Sequence, residues 1–267
     1  MLLSSVFFKS LRDRRMSMLF WFLGICILSG LMVSLFPYVS NNEALKEFAD
    51  TMDPELIAVL GIQGLDYSTG AGYLNSEMFG FMVPILLLVF AIGLGSSSLA
   101  GEEDKRTIEV LLSEPLTRTR LLLEKYAVMV VGLGMLGVMV WISVAGAAMI
   151  FSMGVSLINL AAATLSCVLL AMVFGSVSFG VGSITGKSGL SIAVGSATAA
   201  GTFVLNSISV LVDSMEPVKW ISPFYYYSGN SPMINGLELL HVVLPLVLCS
   251  LTFALAYVAY QRRDLRL

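Results

Sequence analysis

Six stretches of the chain run for roughly 20 residues or more without Asp, Glu, Lys or Arg. They lie at about Met18 to Phe36, Phe79 to Leu99, Tyr126 to Phe151, Leu157 to Ile184, Leu190 to Val212 and Leu239 to Tyr260. A helix rises about 1.5 Å per residue, so about 20 residues cross the roughly 30 Å of bilayer hydrocarbon. Because lipid satisfies no backbone hydrogen bonds, each run must close its own as a helix. Composition agrees: the mean hydropathy is +0.88, and charged residues make up 12% of the chain, against about 25% in soluble domains. The expectation is an all-α membrane protein with six transmembrane helices in one transmembrane domain over residues 1–267.

Basic residues near span ends stay on the cytoplasmic side. Of the 15 Lys and Arg, only Lys46 and Lys219 fall on the other side. Lys9, Arg12, Arg14 and Arg15 precede the first span, Lys105, Arg106, Arg118, Arg120 and Lys125 join spans two and three, Lys187 joins four and five, and Arg262, Arg263 and Arg266 follow six. Both termini are predicted to be cytoplasmic. The opening residues 1–17 resemble no cleavable signal; Leu2, Leu3, Val6, Phe7 and Leu11 recur at helical spacing among basic residues and predict an interfacial helix. Cys26, Cys167 and Cys249 each lie within an apolar run and read as small packed hydrophobes, with no disulfide or metal spacing.

Two outer segments follow, 41–78 and 213–238. In the first, Asp53 and Pro54 predict the start of a short helix ending at Gly61, and the glycines of "STGAGYLNSE" a loop before span two. The second is interrupted by Pro217, Pro223 and Pro232 and carries Trp220, Phe224, Tyr225, Tyr226 and Tyr227. It reads as short broken helices that form either an aromatic belt or a gate. On span five, Ser191, Gly195 and Ala199 form one ladder of small residues, and Ala193, Ala197 and Gly201 another, as helix packing in lipid requires. The absence of ionisable residues deep in the spans disfavours ion-coupled transport.

Two motifs approach catalysis and fall short. "GVGSITGKSGL" lacks the glycine five positions before Gly186 that a phosphate-cradling loop requires. The segment Gly186 to Gly189 is similar to the G-x-S-G of rhomboid intramembrane proteases. Ser188 lies in a cytoplasmic turn, however, and His241, the single histidine, lies at the outer end of span six. A nucleophile and its base must approach to about 3 Å.

Eleven of the charged residues fall within Gly101 to Lys125. Ile108, Leu111, Leu112 and Pro115 make one apolar helical stripe. Glu102, Glu103 and Asp104 precede it, Pro115 ends it, and Thr117 or Thr119 can cap the helix that enters span three. Such a helix suits docking into a partner's groove. The segment resembles the signature of the type-2 permease class of ATP-binding-cassette transporters at Glu102, Glu103, Thr107, Glu109, Leu111, Leu112, Ser113, Pro115, Arg118 and Lys125. It departs at Arg106, where the family commonly has Gly, and at Glu114.

The resemblance implies a membrane-spanning permease subunit of an ATP-driven exporter in the cytoplasmic membrane. It implies a second permease copy or a similar permease, and a separate ATPase subunit that holds ATP and Mg, with no cofactor on this chain and no nucleic-acid partner. Residues 101–125 would then form a coupling segment contacting the ATPase through Glu102, Glu103, Arg106, Thr107, Ile108, Glu109, Leu111, Leu112, Pro115 and Arg118. The alternative is a membrane scaffold that recruits a cytoplasmic partner without transport. Cargo identity is not legible.

Overall fold

The computed structural model describes residues 6–44, 47, 51–53, 67–104 and 117–263. Among these residues there is no strand, and six helices are long and apolar enough to cross a membrane. They are α2 (Arg15–Ser40), α3 (Gly70–Ser98), α5 (Arg118–Ile150), α6 (Leu157–Thr185), α7 (Ser188–Leu211) and α9 (Leu239–Arg262). The short α1 (Val6–Asp13) precedes α2, α4 (Ala100–Asp104) extends α3, and α8 (Pro223–Ser228) precedes α9. The helix expected to begin at Asp53, and the apolar stripe of the 101–125 segment, lie outside the described residues.

α3 and α6 form the centre. In each, 61% of the most apolar window is buried, against 17% in α2, α7 and α9. Glycine makes their contact close: a side chain on Gly95 would collide with the Gly175 carbonyl, and one on Gly175 would come within 3.1 Å of the Ala91 Cβ. Small residues four apart on both helices replace side-chain interdigitation with backbone proximity. On α7 the two small ladders part company. Ser191, Gly195 and Ala199 are buried, with Gly195 facing Ser178 and Ile92, whereas Ala193, Ala197 and Gly201 are exposed.

α3 starts earlier than the glycines suggest. Thr69 caps it by accepting from Gly72 N at 3.1 Å, and Gly70 and Gly72 lie inside the helix. The expected loop is therefore helix: Gly70 abuts the Met153 backbone so closely that only glycine fits. From Asn75 to Met82 the helix widens to π form. Its i to i−5 register would direct the next amide, that of residue 84, to the Phe79 carbonyl. Residue 84 is proline and has no N–H. The Tyr227 hydroxyl donates to Phe79 O instead.

The segment after α7 is broken into three pieces: a 3₁₀ stretch over Asp213–Ile221, then α8, then a π turn over Ser231–Asn235. Its aromatic residues turn inward more than a surface belt would. Phe224 packs on Phe174 and Phe203 with ring centres 5.7 and 5.3 Å apart, and Tyr226 is buried. Trp220 remains exposed.

Candidate functional site

A cluster of charged residues lies at one end of the bundle, where α4 leaves and α5 begins. Thr117 caps α5 by accepting from Arg120 N at 3.3 Å, which decides between the two threonines. From α4, three successive carboxylates reach three different elements. Glu102 accepts from Lys125 Nζ of α5 at 2.9 Å, and the same ammonium donates to Ser10 of α1 at 3.2 Å. Glu103 is held by the fork of Arg263, whose Nη1 donates to Oε1 at 2.9 Å and whose Nη2 pairs with Oε2. The Arg263 Nη1 also donates to the Ser183 carbonyl of α6 at 3.1 Å. Asp104 accepts from the backbone N of Ser188 at 3.1 Å and from its hydroxyl.

Burial gives these contacts weight. The Lys125 side chain is 5% exposed, Glu103 7% and Arg263 14%. A planar guanidinium meeting both carboxylate oxygens is the stronger form of ion pair. The Ser188 hydroxyl bond, followed by the Ser188 amide bond, holds the Asp104 carboxyl below its ordinary range. Asp104 thereby supplies the acceptor that the first turn of α7 needs, in place of the cap that Lys187 does not provide.

Gly186 explains why the near-miss phosphate motif exists. It ends α6 in the left-handed conformation, φ 66°, and the Glu103–Arg263 pair lies directly over its α-carbon. A side chain there would strike both charged groups, so the glycine makes room for an ion pair. Lys187 is exposed.

Neighbouring contacts complete the end. Arg118 Nη1 donates to the Arg263 carbonyl at 2.8 Å, Gln261 Nε2 to Thr119 Oγ1 at 2.9 Å, and Arg14 Nη2 to Ser97 Oγ at 2.9 Å. Burial lowers the Arg14 pKa, and Glu102 opposes the shift. Glu124 accepts from Phe7 N, near the start of α1, at 3.0 Å, and from Arg120 Nε at 2.8 Å. α1, α4, α5, the α6–α7 turn and the end of α9 are thus joined by polar contacts.

Of the residues assigned to partner contact, Glu102, Glu103 and Arg118 are described, and all three make contacts within the chain. Arg106, Thr107, Ile108, Glu109, Leu111, Leu112 and Pro115 lie outside the described residues. Arg263, Lys125, Asp104 and Ser188 belong to the same cluster without having been singled out as one. For Arg263, Lys125 and Asp104 the sequence signal was charge at a span end, and Ser188 had drawn notice only in the G-x-S-G match.

The protease geometry fails. Ser188 belongs to the charged end, whereas His241 lies near the start of α9 at the opposite end, between the rings of Tyr225 and Tyr226 at 5.9 and 5.8 Å. Among the described residues, no group of three or more His, Cys, Asp or Glu is placed to hold a metal ion.

A family model described as ABC-2 family transporter protein matches residues 4–265. The chain belongs to this family. No curated protein matches it. The ABC-2 assignment covers the six long helices and both sides of the charged loop, and makes the chain a multi-pass permease subunit of an ABC transporter. The scaffold alternative gives way to a transporter family whose ATPase is a partner subunit.

Proposed function

We propose that the chain is the membrane half of an ATP-driven exporter, in which residues 105–116 form the coupling helix and dock in a groove of a separate ATPase subunit. Two copies, or this chain and a similar permease, would pair in the cytoplasmic membrane, with the charged end and both termini cytoplasmic. ATP and Mg belong to the partner. The observation that carries the reading is that described residues flanking 105–116 are fastened to the bundle, Glu102 and Glu103 on one side and Arg118 on the other. A docking helix transmits force only if its root cannot slide.

In this reading Glu102, Glu103 and Arg118 act mainly as the root, while Arg106, Thr107, Ile108, Glu109, Leu111, Leu112 and Pro115 supply the partner surface. ATP-driven movement of the docked helix would pass along α3 and α5 and alter their packing on α6. The test is purification of the tagged chain from its native membrane with and without ATP. A stoichiometric ATPase should accompany it, and Glu109→Lys together with Leu112→Ala should remove that ATPase while the permease stays folded. Retention of a fully coupled ATPase by that variant would reject the assignment of the loop.

A further inference from the structure

α2 packs along α5 and approaches α3 only sparsely. The gap between them holds a cavity of about 170 Å³. Trp21 of α2, Phe90 and Leu94 of α3 and Val128 of α5 give it an apolar wall, and Arg14, just before α2, lines it as well. Trp21 and Phe90 meet edge to face with ring centres 5.4 Å apart. Gly93 also lines the cavity, and a side chain built there would meet no atom within 4 Å. Gly95, two residues on, has a backbone contact that demands glycine; at position 93 the missing side chain leaves room instead. Ser17 and Gly93 are exposed, so the cavity opens sideways toward lipid.

Arg14 is the charged member of that lining. A guanidinium carries several N–H donors in a planar fork. Among the described residues this one makes a single side-chain hydrogen bond, from Nη2 to Ser97 Oγ at 2.9 Å. That hydroxyl is neutral and itself donates to Gly93 O at 2.7 Å. Glu102, the carboxylate whose field reaches Arg14, is held by Lys125 at 2.9 Å. A guanidinium fork with donors to spare matches the oxygens of a phosphate. Four basic residues and one acid fall between residues 9 and 15, and Lys9, Arg12 and Arg15 are exposed. Basic residues at a membrane surface attract anionic head groups, by about 1 kcal/mol each. An apolar cavity of about 150 Å³ in another protein takes up benzene, so an acyl segment of several carbons suits the space here. Among the described residues, no Asp or Glu lines it.

We propose that this cavity holds one anionic phospholipid from the leaflet at the charged end, with its phosphate on Arg14 and part of one acyl chain against Trp21 and Phe90, over Gly93. The lipid completes the donors of Arg14 and fills the gap between α2 and α3. It is a resident ligand of the fold and not cargo. The site needs only a chain that spans a membrane, so it stands apart from the direction of transport and from the ATPase.

The full chain is reconstituted in phosphatidylcholine nanodiscs with a small fraction of phosphatidylglycerol that carries a diazirine in its acyl chain. Labelling is expected on peptides spanning residues 14–21 and 89–97. Unlabelled phosphatidylglycerol should displace the probe about tenfold more effectively than an equal addition of phosphatidylcholine, a difference of about 1.4 kcal/mol. Arg14→Gln should erase that preference. Because this change also removes the bond to Ser97, Ser97→Ala is its control and should keep the preference. Gly93→Leu, which fills the cavity and leaves every charge in place, should abolish labelling of these peptides. Equal displacement by the two lipids, unchanged labelling in Gly93→Leu, or loss of the preference in Ser97→Ala overturns the proposal. So does displacement of the probe by inorganic phosphate alone, because the site would then take a free anion and not a lipid. If Arg14→Gln does not fold, the lipid competition and Gly93→Leu decide. Loss of the ATPase in the preceding experiment leaves these binding results standing, and failure here leaves the coupling assignment standing.

Discussion

The two ends of the bundle are closed by different chemistry. At the charged end, long side chains cross between distant parts of the sequence: Glu103 to Arg263, Glu102 to Lys125, Asp104 to Ser188. At the aromatic end, rings pack on rings, and the Tyr226, Tyr227 and Ser222 hydroxyls bind backbone carbonyls. An ion pair depends on both partners and is lost as a unit, so it can be exchanged for another arrangement. Ring packing is spread over many weak contacts and yields gradually. On the proposed reading, the end that responds to the ATPase is built from discrete contacts, and the opposite end from distributed ones.

Breaking the pair nearest the loop should produce the largest effect. Arg263→Met leaves Glu103 buried without its partner, which should destabilise the fold by about 3–5 kcal/mol. The melting temperature in mild detergent should fall sharply. Replacing both residues, Glu103→Leu with Arg263→Met, should recover most of it, because no charge is then stranded. The double variant should nonetheless show weakened coupling to the ATPase. A single variant that melts like the parent would remove the distinction between the two ends.

A smaller loss is expected at the aromatic end. Tyr227→Phe removes one hydroxyl, leaving the Phe79 carbonyl unmatched beside Pro84, at a cost of about 1–2 kcal/mol. The ring still packs, so the melting temperature should fall less than for Arg263→Met. In a background with Cys26 and Cys249 replaced by Ala, Cys167 should react faster with a maleimide in nanodiscs. An unchanged rate would mean that the hydroxyl does not fasten α8 to α3.

These contacts differ in how far the sequence reveals them. The helices that span were legible because hydrophobic length is a local property, and the observed starts lie within a few residues of the expected ones at Leu157, Leu190 and Leu239. A threonine cap at 117 or 119 was legible for the same reason, and the structure chooses Thr117. The start of α3 was not: glycines next to a span look like a loop unless the Met153 backbone they accommodate is known. Nor was the union of Glu103 with Arg263, since a charge at a span end reports orientation and leaves its partner open. Gly186 resembled part of a nucleotide motif because two different demands, phosphate approach and ion-pair clearance, both require a missing side chain.

The smallest effect should come from Asp104, which is exposed yet belongs to the charged end. Its folded pKa is depressed by the two bonds from Ser188, so its contribution is complete above the unfolded value of about 3.9 and is lost as pH falls through the lower folded value. Solvent screening limits that contribution to less than about 1 kcal/mol. Other carboxylates titrate in the same window, so the informative quantity is the difference in melting temperature between the parent and Asp104→Asn. That difference should be constant from pH 7 to about pH 5 and shrink below about pH 4. A difference that persists unchanged into acid would mean that the substituted amide fails for a steric reason and that the Ser188 contact adds no charge-dependent hold. In that case the α7 start would resemble the aromatic end, fixed by shape, and only the Glu103–Arg263 and Glu102–Lys125 pairs would distinguish the charged end.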